Sequence, residues 1–130
     1  MSLTSLRLLI TAFFLTAFLA ACGGGSGSSA PPPAGGITAT ADDGQVTITW
    51  TADAGVDYWL MYAATATAID MKNPPGNHIW ITSGVTSPLV ITGLVNGQTY
   101  SFAMDGRISG GPGGAQTPSV SATPGVVVPP

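Results

Sequence analysis

The chain has 130 residues, of which 45% are hydrophobic and only 7% charged, with a formal net charge of −3. Three basic side chains against six acidic ones exclude the clustered Lys and Arg that nucleic acid requires. Eighteen glycines, eleven prolines and one cysteine weigh against a helical chain and leave no partner for an intramolecular disulfide.

Taken in order, Met1 to Arg7 brings one basic side chain, Arg7, beside the amino terminus, and Leu8 to Leu19 is apolar. Ala20 and Ala21 follow, giving the basic, apolar and small-residue order of a secretory signal. An uncleaved membrane anchor is the alternative, but the apolar run is about 12 residues against roughly 20 for a membrane-spanning helix. Only glycine and serine come next, so no stop-transfer charge closes the run.

Leu19-Ala20-Ala21-Cys22 resembles the lipobox of bacterial lipoproteins. The resemblance implies that residues 1–21 are removed and that Cys22 becomes the lipidated first residue. A thiolate is the nucleophile such a transfer needs. Two or more acyl chains, palmitate among them, hold a protein at a membrane essentially without release. Gly23 rather than an aspartate follows Cys22. In bacteria with two membranes that resembles lipoproteins forwarded to the outer membrane, so the implied location is the cell envelope.

Residues 22–36 continue as CGGGSGSSAPPPAGG, without charge or apolar periodicity. Such a segment is expected to be a flexible tether, with Pro31-Pro32-Pro33 a short stiff piece of polyproline II helix. Its mean reach is on the order of 20 Å, which keeps the module near the membrane.

Residues 37–125 suffice for one domain. Apolar residues alternate in short runs: Ile37 to Ala41, Val46-Ile48-Trp50, Tyr58 to Tyr62, Ile79 to Ile81, Leu89 to Ile91, Tyr100-Phe102-Met104, and Ser119 to Ala122. Seven short strands separated by turn residues predict an all-β antiparallel sandwich. Trp50, Tyr58, Leu60, Leu94, Tyr100 and Phe102 are its expected core. Residues 126–130 form an apolar tail with no assigned role.

The module is similar to the fibronectin type III family. The likeness rests on Asp43 to Trp50 as the second strand, Tyr58, Leu60 and Tyr62 on the third, and Gly93-Leu94-Val95-Asn96-Gly97-Gln98-Thr99-Tyr100 as a turn ending in tyrosine. Ser119 to Pro124 is similar to the closing strand. The resemblance implies an immunoglobulin-like sandwich in which the Tyr100 hydroxyl bonds back to upstream backbone. The stretch Ala63 to Gly76 departs from the family pattern.

Candidate chemistry is thin. His78 is the only imidazole and lies beside Pro74-Pro75-Gly76, at an expected exposed turn, with no second His to complete a zinc site. No serine stands in a nucleophile-elbow context. Asp42-Asp43-Gly44 supplies two carboxylates where calcium takes six to eight oxygens, so a hairpin turn is the expectation there. The run Gly110 to Gly114 is broken by Pro112 and is expected to be a mobile loop rather than a phosphate cradle. No catalytic residue, metal or cofactor is expected.

Two tryptophans remain. If Tyr58, Leu60 and Tyr62 point inward, period two sends Trp59 and Met61 outward, and Trp80 faces away from Ile79 and Ile81. In a sandwich of the fibronectin type III kind these two strands are neighbours, so the resemblance implies that Trp59, Met61 and Trp80 share one outer face, a candidate binding face for protein or glycan, with only small Ser101 and Ala103 beside them. The competing reading is that Ala63 to Gly76 folds over them, or that Trp80 is core. The function this suggests is contact at the envelope through a lipid-anchored module. A structural spacer without a dedicated ligand is the alternative.

Overall fold

The computed structural model describes residues 27–126. The signal segment, Cys22, residues 23–26 of the tether and residues 127–130 of the tail lie outside the described residues.

Among the described residues eight strands form two antiparallel sheets: β1 (Ser28–Ala30), β2 (Thr38–Asp42), β3 (Gln45–Thr49), β4 (Asp57–Ala63), β5 (Ile79–Ile81), β6 (Leu89–Ile91), β7 (Tyr100–Ile108) and β8 (Val120–Ala122). The smaller sheet runs β2-β3-β6. The larger runs β1-β7-β4-β5, with β8 also on β7. Since β4 pairs one edge of β7 throughout, β8 and β1 share the other edge. There β8 takes Tyr100 to Phe102, and β1 takes Gly106 to Ile108.

Period two explains which side chains meet. Val46 and Ile48 on β3 are fully buried, while Thr47 and Thr49 alternate with them toward solvent. They face Leu60, Phe102 and Met104 of the larger sheet, with Ile37, Trp50, Tyr58, Ile91 and Tyr100 completing the core. Leu94 packs against this cluster while remaining partly exposed. The Trp50 and Tyr58 rings meet edge to face with centroids 6.1 Å apart. These contacts hold the two sheets face to face.

Turns follow the local chemistry. Gly44 adopts φ +64°, which closes the β2–β3 hairpin with Asp42 opposite Gln45. Asn96 fastens that turn: its amide donates to Asp43 at 2.8 Å and its carbonyl accepts from the Gly44 N–H at 2.8 Å.

The tether expectation needs correction from Gly27 onward. Ser28, Ser29 and Ala30 pair with Ile108, Arg107 and Gly106, and Ala30 is buried. The glycine-rich run after β7 is packed against this strand. A Cβ on Gly111 or Gly114 would run into the backbone of Ser28 or Ala30, and one on Gly113 into Asp105. Small residues here permit close backbone approach. Composition alone reads the same residues as flexible linker, because it does not show that β7 offers them an unpaired edge.

Candidate functional site

The outer face of the larger sheet is built by register. Trp59 stands opposite Asp105, Met61 opposite Ala103 on one side and Trp80 on the other, and Asp57 opposite Arg107. Alternation therefore puts Trp59, Met61, Trp80, Ala103, Asp105 and Arg107 on the side away from the core.

That face is divided. Met61 is 0% exposed, packed with Ala63, Ile69 and Ala103 in a second apolar cluster that Met71 borders. The expectation of an exposed Met61 is thus corrected: the stretch after β4 folds back across this end of the sheet. Several hydrogen bonds hold it there. Gln116 accepts the Met71 N–H at 2.7 Å and donates to the Ile69 carbonyl at 2.8 Å. Ser119 accepts the Ile69 N–H, and the Ser101 hydroxyl donates to the Thr65 carbonyl. Ser101, small as expected, is consumed in holding the cover.

The other half carries the tryptophans. Trp59 and Trp80 meet edge to face, 6.0 Å between centroids and 75° between planes. Trp80 remains 36% exposed and Trp59 is partly buried. The Arg107 guanidinium lies 3.6 Å above the Trp59 ring centroid, a cation–π contact. Asp105 holds it from the side, Nε donating to Oδ1 at 3.1 Å and Nη2 to Oδ2 at 3.0 Å. The two side chains are only 14% and 7% exposed. Such a fork-to-fork pair fixes orientation as well as energy. Arg107 Nη1 also reaches the Gly111 carbonyl at 3.4 Å.

Sequence reasoning left out Asp105 and Arg107 as neighbours of the tryptophans. The signal was available, because two more steps of the Ser101–Ala103 alternation arrive at both. Lys72, beside the same face, had none: it reaches the site only through the fold of the irregular segment.

Two further candidates resolve as local structure. The His78 N–H donates to the Pro75 carbonyl at 3.1 Å, and its ring Nδ1 lies 2.7 Å from the same oxygen. The ring is partly buried at this turn rather than exposed. Asp42 and Asp43 are occupied by the hairpin, Asp42 accepting the Asp43 N–H at 2.8 Å. Among the described residues no three His, Cys, Asp or Glu side chains gather as a metal site, and no helix is long and apolar enough to cross a membrane.

No protein-family model matches the chain, and no curated protein matches it.

Proposed function

We propose that this chain is a lipid-anchored envelope protein whose sandwich is a fibronectin type III module, presenting the Trp59–Trp80 face to a protein or glycan. The anchor rests on Leu19-Ala20-Ala21-Cys22 behind a secretory-type signal. The family reading draws support from the Tyr100 hydroxyl, which accepts the Val95 N–H at 3.0 Å in the manner of a tyrosine corner. It also draws support from Trp50, buried at the end of β3. The module contributes contact rather than catalysis, without a cofactor: Asp105 is committed to Arg107 and His78 to its own turn.

One observation carries the contact reading. Trp80 stays partly open on an outer sheet face, braced by Trp59, whose ring Arg107 covers, instead of being drawn into either apolar cluster. Large aromatic side chains held this way are the usual anchors of binding surfaces.

The test is a Trp59→Ser/Trp80→Ser variant of the anchored chain, cross-linked in intact cells. Loss of the cross-linked partner with the fold retained supports the reading, while unchanged folding together with unchanged binding sinks it. Mass measurement of the mature amino terminus tests the anchor separately, since an unmodified Cys22 refutes it.

The spacer reading draws on the other half of the face, where Ile69 closes over Met61. It requires both tryptophans to be shielded in the full chain, so acrylamide quenching of their fluorescence separates the two readings.

A further inference from the structure

The chain has three basic side chains, Arg7, Lys72 and Arg107. Lys72 and Arg107, the two within the described residues, line a single cleft of about 210 Å³, with Trp80 as its aromatic wall. Five of the six carboxylates, those of Asp42, Asp43, Asp53, Asp57 and Asp70, are absent from that lining, and the sixth, Asp105, is neutralised by Arg107. The cleft thus gathers both described basic side chains of an acidic module and, with Arg107 paired to Asp105, owes its net positive charge to Lys72, beside the most exposed tryptophan.

The hydrogen-bonding inventory of the cleft is one-sided. Both Asp105 oxygens accept from Arg107, and the Gln116 carbonyl accepts from Met71. Arg107 has five N–H groups, of which two serve Asp105 and one points to Gly111. Two guanidinium N–H groups and the Lys72 ammonium therefore remain to donate. Stacking on Trp59 and the Asp105 fork hold the guanidinium plane in place, so little ordering is left for a ligand to impose. With its side-chain acceptors Asp105 and Gln116 already bonded to Arg107 and Met71, this excess of donors next to an aromatic wall favours a group that is anionic at one point and has an apolar face.

We propose that this cleft is a subsite for a carboxylate-bearing sugar ring, a uronic acid residue of an acidic polysaccharide. The pyranose C–H face lies on Trp80 and the carboxylate is directed to Lys72 and Arg107. The volume holds one ring, so neighbouring residues of the polymer extend over the open face. The inference rests on the contact reading of the Trp59–Trp80 face and names its ligand class.

The experiment titrates the purified full chain with a galacturonate trimer, followed by tryptophan fluorescence and calorimetry. The fully methyl-esterified trimer, which keeps the rings and loses the charge, is the control. The trimer is expected to bind and the ester to bind at least about tenfold more weakly, the value of one charge-assisted hydrogen bond. Lys72→Gln and Trp80→Ala should each weaken the trimer by a similar factor, whereas His78→Gln, outside the cleft, leaves it unchanged. Thermal midpoints confirm that the variants are folded.

Equal binding of ester and trimer, or indifference to Lys72→Gln, overturns the assignment. Equal binding of an acidic tripeptide overturns the sugar half and makes the site one for peptide carboxylates. Absence of trimer binding overturns this inference alone if the cross-linked partner still depends on Trp59 and Trp80. If that dependence is missing too, the contact reading falls with it.

Discussion

The Tyr100 hydroxyl and the Val95 backbone nitrogen are 3.0 Å apart, joining the start of β7 to the turn before it. At the other end of the sandwich Tyr58 does the same for Asp53, also at 3.0 Å. Each tyrosine buries its ring in the core and uses its hydroxyl to fasten a loop. Tyr100→Phe and Tyr58→Phe each keep the ring and lose the acceptor, so each is expected to cost about 1 kcal/mol. Urea unfolding should show the shift in midpoint with an unchanged slope.

Asp105→Ala leaves the Arg107 guanidinium largely buried without its counter-ion. The expected loss is about 2 kcal/mol. The double replacement Asp105→Ala/Arg107→Met should cost less than the sum of the single changes, because it removes both charges together. A double-mutant cycle by denaturant titration measures the coupling, and additivity would show the pair to be without energetic consequence.

Met61 distinguishes a covered face from an open one. With no exposed surface, Met61→Ala should destabilise by about 2–5 kcal/mol, as for a core cavity. A surface methionine would stay within about 0.5 kcal/mol. Thermal unfolding decides between them.

The glycines after β7 separate packing from flexibility. Gly114→Ala pushes a Cβ against the Ala30 carbonyl and is expected to cost about 1–3 kcal/mol. Gly76 has open space around it and needs no positive φ, so Gly76→Ala should be neutral or slightly stabilising. Hydrogen exchange should show Ser28–Ala30 protected in the parent chain and released in Gly114→Ala.

Burial, reinforced by the neighbouring Tyr100, holds the Tyr62 phenol above its ordinary pKa. The folded state therefore keeps this proton longer than the unfolded chain does. Stability from Tyr62 is complete below the unfolded value of about 10 and is lost as pH rises from there through the folded value. Tyr62→Phe should flatten the alkaline fall in the unfolding midpoint relative to the parent.

The sandwich was legible where side chains alternate between core and solvent. Val46-Ile48, Tyr58-Leu60 and Phe102-Met104 each mark one inward face; β3 and β4 lie within one residue of their expected bounds, while β7 runs on past Met104 to Ile108. Parity turns Trp59 and Trp80 outward, and the strand adjacency implied by the family resemblance brings them together, as the β4–β5 pairing does. Two things were hidden. Ala63 to Gly76 has no periodicity, so the return of Ile69 over Met61 depends on distant partners such as Gln116 and Ser119. Ser28–Ala30 carries no strand propensity of its own and becomes a strand only because the β7 edge beyond β8 is vacant.

That short strand also sets how the domain takes load. β1 lies antiparallel to β7, with Ser28 at the Ile108 end, so tension applied from the amino-terminal side along the strand axis strains its ladder in shear, all bonds sharing it at once. Tension across the axis instead peels Ser28, Ser29 and Ala30 away one pair at a time. Under the proposed anchor, load would reach β1 ahead of the β2–β3 hairpin, and parting its three residue pairs from β7 would lengthen the connection while the cluster between the sheets stays closed.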